Sequence, residues 1–170
     1  MRPPLNIKML IRSKKDDAKF IGKPGVHHVL NSPAGGAFGM VRSEGHKGHS
    51  GWDVYAPVNT PIVAIAEGKV VSARRHGDYG LSVVLAFTDP GHPGGLYALY
   101  GHLCQASVAE GQPVKEGAIL GYTGTDGNAH GQPPHLHFEI RTADPVNWDP
   151  KHPLHHRINP GTILGGHYGL

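Results

Sequence analysis

The stretch "HLHFEIR", residues 135–141, decides the fold. Read as a β-strand, whose side chains alternate between faces, it turns His135, His137, Glu139 and Arg141 one way and Leu136, Phe138 and Ile140 the other. The apolar face belongs to a core. The opposite face carries two imidazoles side by side, so it is wet, lined by polar groups or occupied by a metal.

Outward from this strand, short β-branched runs recur: "TPIVAIAEGKVVSARR" (60–75), "LSVVLAFTD" (81–89), "GGLYALYGHL" (94–103) and "QPVKEGAILGYTG" (112–124), separated by Gly, Pro, Asp or Asn. That spacing predicts antiparallel sheets, and no window sustains a 3.6-residue apolar period, so helices should be few and short. The 25 Gly and 15 Pro, against 7% aromatic residues, agree with many turns. The expected class is all-β, a mostly antiparallel sandwich or open barrel with a cleft. A chain of 170 residues is of one-domain size. We expect residues 32–150 to form that domain, 1–31 an extension packed on it, and 151–170 a His- and Gly-rich tail wrapping the surface.

Alternation in "LYALYGHL" puts Tyr100 and His102 on one face and Tyr97, Leu99 and Leu103 on the other, which brings a third histidine to the cleft. A further segment, "GHKGHSGWDVYAP" (45–57), offers His49 and Asp53 as a nitrogen and an oxygen ligand, with Gly51 letting the backbone bend between them. A catalytic zinc takes three protein ligands and keeps one position for water. One histidine of the His-x-His strand completes a His2Asp set. The other, with His102, is left for proton transfer.

Together the three segments "HSGWD", "YGHL" and "HLHFEIR" resemble the lysostaphin/LytM-type zinc endopeptidases, which cleave peptidoglycan. The stretches "FGMVR", "APVNTPIVAIAEGKVV", "GQPVKEGAILGYTGTDGNAHGQPP" and "NWDP" extend the resemblance over roughly residues 32–150. Position by position, it implies that His49, Asp53 and His137 bind Zn2+ and that His102 and His135 are the catalytic histidines. It also implies a peptidoglycan peptide as substrate and a site of action in the periplasm or cell wall.

Other features bound this reading. Lys+Arg number 16 against 13 Asp+Glu, and the pI near 9.0 suits an anionic surroundings such as a wall polymer, a membrane surface or nucleic acid. Nucleic acid is disfavoured, because the basic residues are scattered without a stacking platform. No run of 18 apolar residues is present, so no membrane span is expected, and a monomer is. Cys104 excludes an intrachain disulfide and reads as a small buried thiol. "MRPPLNIKMLIRSKKDD" is not a recognisable signal peptide, which motivates the expectation of an antibacterial effector delivered without a leader, with an immunity protein in the producer.

Trp52 is expected to pack beneath the metal segment, and Tyr79, Tyr97 and Tyr100 to line core or cleft, one of them a candidate oxyanion donor. His46 reads as solvated loop, and His27, His28, His76, His92, His130, His152, His155, His156 and His167 as solvated or satisfied elsewhere. The loops "HGDYG" and "TDGNAHGQPP" are candidate substrate gates. Competing functions are a metalloprotease acting on glycine-containing proteins and, from "SPAGG" and "APVNTPIVAIAEGKVV", a metal-free phosphocarrier-like domain, which has no use for Asp53.

Overall fold

A computed structural model describes residues 36–143 and 154–164. The expected extension at 1–31, "NWDP" and the ends of the expected tail at 151–153 and 165–170 lie outside the described residues. Strand follows strand: β1 (Gly39–Arg42), β2 (Lys47–His49), β3 (Trp52–Tyr55), β4 (Pro61–Val63), β5 (Gly68–His76), β6 (Gly80–Asp89), β7 (His92–Gly101), β8 (Leu103–Ala106), β9 (Pro113–Val114), β10 (Ile119–Thr123), β11 (His135–Arg141) and β12 (Arg157–Ile158). Helix among the described residues comprises, besides Gly36 at their start, α1 (Pro160–Leu164) and the 3-10 turns Ser43–Gly45, Gly77–Tyr79 and Gly127–Ala129.

All strand pairings among the described residues are antiparallel. One sheet runs β12-β11-β7-β6-β5-β9, with β3 also paired to β11; a second runs β4-β10-β8, and β1 pairs with β2. The run 60–75 therefore splits between two sheets, β4 going to one and β5 to the other. Among the described residues no closed barrel forms. Between the two larger sheets lies the core, to which the large sheet gives Val83, Leu85, Ala98, Tyr100, Phe138 and Ile140 and the small one Ile62, Leu103 and Leu120. Trp52 joins it from β3.

Strand β11 is covered on both faces, and all seven of its residues are buried. It holds the predicted alternation: Leu136, Phe138 and Ile140 enter the core. His135, His137, Glu139 and Arg141 face away from it, and polar groups line that face. β3 lies directly beside it, pairing Asp53 with His137, while Gly101 of β7 meets His137 from the other edge. Gly51 makes the approach possible: a Cβ there would stand 2.1 Å from the Phe138 carbonyl oxygen. Its role is therefore close backbone contact.

At His102 the alternation fails. Its φ is +63°, a left-handed conformation that costs a residue with a Cβ about 1–3 kcal/mol. This breaks the chain between β7 and β8, at the corner where it passes from one sheet to the other. The expected pairing of Tyr100 with His102 on one face is thus corrected: Tyr100 is in the core, its hydroxyl accepting from the Ile65 amide, while Leu99 and His102 line the cleft. Cys104 is also corrected. It is exposed on β8, and its thiol donates to Asn59.

Candidate metal centre

A cleft of about 400 Å³ opens over the polar face of β11, and His49, Asp53, His102, His135 and His137 all border it. His49 comes from the end of β2, Asp53 from β3, His137 from the middle of β11 and His135 from its start. The three atoms His49 Nε2, Asp53 Oδ1 and His137 Nδ1 converge, at 3.1 Å (His49–Asp53), 3.2 Å (His49–His137) and 2.8 Å (His137–Asp53). Tetrahedral nitrogen and oxygen ligands about 2.0–2.1 Å from a zinc stand about 3.3 Å from one another, so the three fit one small cation with little adjustment. Among the described residues, this is the one His/Asp set so arranged.

The remaining ring nitrogens explain the arrangement. A carbonyl or carboxylate oxygen can only accept, so each partner fixes a tautomer. His49 donates from Nδ1 to the Ala37 carbonyl at 2.8 Å. His137 donates from Nε2 to Glu139 Oε1 at 2.8 Å. His102 and His135 donate from Nδ1 to the carbonyls of Asp126 (2.8 Å) and Pro133 (2.9 Å). His49, His102 and His135 thereby keep an Nε2 without a proton, while His137 turns Nδ1 to Asp53; His49 and His137 complete the triad with Asp53, and His102 and His135 stand beside it. His135 Nε2 stands 3.8 Å from Asp53 Oδ1, and the His102 and His135 rings are 4.8 Å apart.

Charge follows the same plan. Burial lowers the pKa of His49, of His135 and of His102, the last to about 3 with help from the nearby His137 and His135 charges, so these rings stay neutral at neutral pH. For His137 burial again opposes the proton, yet its bonds to Asp53 and Glu139 outweigh it and raise the pKa to about 9. Burial also works against the Asp53 carboxylate, but the bond from His137 outweighs it and holds the group well below the usual carboxylate range. Without a metal, then, a proton sits between His137 and Asp53. A cation bound there would take its place. Arg42 of β1 adds a bond to Asp53 Oδ2 at 2.6 Å.

Glu139 received no role in the sequence reading, although it lies on the same strand face two residues beyond His137. Besides His137, Ser50 Oγ and the Tyr79 hydroxyl donate to its Oε1, and Arg141 and Arg157 donate to Oε2. Burial disfavours its charge, but these donors keep it ionised. Tyr79 lines the cleft as expected, with burial pushing its hydroxyl up to about 12; that hydroxyl is committed to Glu139, so Tyr79 is not the free oxyanion donor. The other histidines among the described residues stay out of the triad: His46, His130, His155 and His156 are exposed, His92 pairs with Asp89, and His76 borders the cleft bonded to Ser72.

A model of Peptidase family M23 matches residues 47–150. The DD-carboxypeptidase/endopeptidase Mpg of Neisseria meningitidis serogroup B is 40% identical over 100 residues, covering 58% of this chain and 21% of its own length. Glycyl-glycine endopeptidase ALE-1 of Staphylococcus capitis is 36% identical over 96 residues, covering 55% and 25%. The chain thus spans a quarter or less of these curated relatives. Among solved structures, the catalytic domain of the antimicrobial peptidase lysostaphin from Staphylococcus simulans superposes with a TM-score of 0.62 at 26% identity, covering 77% of this chain and 90% of that one. With the family match extending over residues 47–150 of 170 and taking in both ends of the converging triad, this chain belongs to Peptidase family M23.

Proposed function

We propose that this chain is a zinc-dependent endopeptidase that hydrolyses peptide cross-links or stem peptides of bacterial peptidoglycan. The observation that carries the reading is the convergence of His49 Nε2, Asp53 Oδ1 and His137 Nδ1 beside two further imidazoles with bare Nε2 atoms. The names of the relatives, a DD-carboxypeptidase/endopeptidase and a glycyl-glycine endopeptidase, support peptide bonds of the wall as the substrate class. Such a substrate puts the place of action in the periplasm or cell wall.

In this reading His49, Asp53 and His137 hold Zn2+, which supplies Lewis-acid activation of a water and of the scissile carbonyl. His102 and His135 handle protons. One accepts a proton at Nε2 from the attacking water, and that proton is then the one available to the departing amine; the other can donate to the amine or stabilise charge on the carbonyl oxygen only after it has itself taken up a proton at Nε2. Their lowered pKa values keep both unprotonated, and so able to accept, at neutral pH. Glu139 and the Ala37 carbonyl hold His137 and His49 in the ligating tautomers.

Incubating the zinc-loaded protein with defined peptidoglycan and analysing the released fragments by mass spectrometry tests the proposal and assigns the bond. New amino termini in the cross-link or stem peptide, lost on chelation and restored by zinc, are expected. Cleavage of casein or elastin with intact peptidoglycan points instead to a protease of glycine-containing proteins, and intact material throughout overturns the peptidase reading.

A further inference from the structure

Two loops that the metal triad does not use meet beside His102. One is the turn Gly77–Tyr79 between β5 and β6; the other is the turn Gly127–Ala129 between β10 and β11, preceded by Asp126. They interlock backbone to backbone. A Cβ on Gly80 (φ +62°) would lie 2.5 Å from the Asp126 carbonyl carbon, and one on Gly127 (φ +70°) would lie 2.3 Å from the Asp78 carbonyl oxygen. His102 hangs between them, its amide donating to the Tyr79 carbonyl at 2.8 Å and its Nδ1 to the Asp126 carbonyl at 2.8 Å.

The Asp126 side chain ties this joint. Its Oδ2 accepts from the Leu81 amide at 2.6 Å, and its Oδ1 from Arg75 Nη1 at 2.8 Å. One residue therefore grips the β5–β6 turn with its carboxylate and the His102 ring with its carbonyl. The two functions are mechanically linked, because the carboxylate fixes where the carbonyl stands.

We infer that Asp126 is a positioning residue for proton transfer: by fastening the two loops, its carboxylate places its own carbonyl so that His102 keeps the Nδ1–H tautomer and turns a bare Nε2 to the centre. A backbone acceptor suits this task. A side-chain carboxylate on Nδ1 would stabilise the imidazolium and raise the pKa, whereas a neutral carbonyl orients the ring with less effect on its charge. The Arg75 bond is exposed and screened, so the Leu81 bond is the one that decides position.

This inference rests on the proposed peptidase reading for its kinetic consequence, but the tautomer does not depend on that reading. The experiment uses the whole 170-residue chain, zinc-loaded, as wild type, Asp126→Ala and Asp126→Asn. Side-chain ¹H–¹⁵N correlation spectra, with the His102 signals assigned by their loss in His102→Gln, report the tautomer, and cleavage of a purified cross-linked muropeptide reports kcat and KM. In Asp126→Ala the Nδ1–H form is expected to give way to a mixture of tautomers. There kcat should fall by about 10- to 100-fold, with KM within about twofold and zinc content unchanged. Asp126→Asn, which keeps an acceptor for the Leu81 amide, should recover most of both, and it carries the test if the alanine variant fails to fold. An unchanged tautomer in Asp126→Ala, a kcat within about twofold of wild type, or an asparagine variant as impaired as the alanine one overturns the inference. Absence of muropeptide cleavage by the wild type would reject the peptidase reading and leave the tautomer comparison to judge Asp126.

Discussion

His137 and Glu139, two residues apart on one face of β11, are joined by a 2.8 Å bond from Nε2 to Oε1, so the strand that delivers a candidate metal ligand also delivers the group that orients it. Glu139 is expected to matter twice. Glu139→Ala should weaken zinc affinity by about 10–100-fold, the usual cost of losing such an orienting partner. It also leaves Arg141 and Arg157 without their shared carboxylate, with an expected loss of about 3–5 kcal/mol, the cost of breaking a buried ion pair. Zinc titration with a competing chelator and denaturant unfolding measure the two effects, and wild-type values in both contradict the hub assigned to this carboxylate.

The five centre residues should divide by metal content. His49→Ala, Asp53→Ala and His137→Ala each remove a converging atom and should abolish stoichiometric zinc. His102→Ala and His135→Ala should retain the metal while turnover falls by about 10²–10⁴, the range for losing a general acid or base. Metal analysis alongside muropeptide cleavage checks the split; full activity in the Asp53 variant contradicts it.

Protonation predicts a stability maximum for the metal-free protein. His49, His102 and His135 have pKa values below the ordinary 6.5, so below that pH the unfolded chain binds more protons there and stability falls with acidification. Glu139 and Asp53, both depressed, add to this fall as the pH drops through their folded values. His137 is the opposite case: its contribution is complete below pH 6.5 and is lost as the pH rises through about 9. Calorimetry across the range should give the highest Tm near neutrality, with a decline on both sides. A Tm still climbing toward pH 9 contradicts the His137 bonds, and zinc loading should remove the alkaline decline because the metal replaces that proton.

Gly51→Ala should be costly although it adds one methyl group. The obstructing atoms are backbone, the Phe138 carbonyl, so relief requires moving β3 from β11. We expect about 1–3 kcal/mol of lost stability together with weaker zinc binding, since His49 and Asp53 flank the displaced residue. Gly94→Ala, where an added Cβ meets nothing within 4 Å, serves as the control and should lie within about 0.5 kcal/mol of wild type. Equal effects at the two positions contradict the packing argument.

Much of this was legible because a strand has a period of two. Hydrophobic alternation alone assigns both faces of β11, and the acidic position two beyond His137 was already on the right face. What it lacked was a reason to be charged and buried, which comes from Arg157 and Tyr79, distant in sequence. His102 was placed in the cleft for the wrong reason: nothing at this position announces a left-handed backbone, as a glycine would, so the parity argument put Tyr100 there too. The exposed Cys104 shows the same limit, since average burial of a thiol does not tell which side of β8 it occupies. Asp126 escaped notice because its function lies in a carbonyl, which every residue has. The two loops read as gates are joined to one another by Asp126 and the Gly80–Gly127 contact, so in this part of the cleft wall they form one unit.

β11 has hydrogen-bonded neighbours along both edges, β7 on one side and β3 followed by β12 on the other. An incoming peptide therefore finds no open ladder on the strand that carries His135 and His137, and cannot dock there by β-augmentation. Recognition over that strand has to come from side chains and from the cleft walls, which frees substrate choice to change with loop residues while the catalytic strand stays the same.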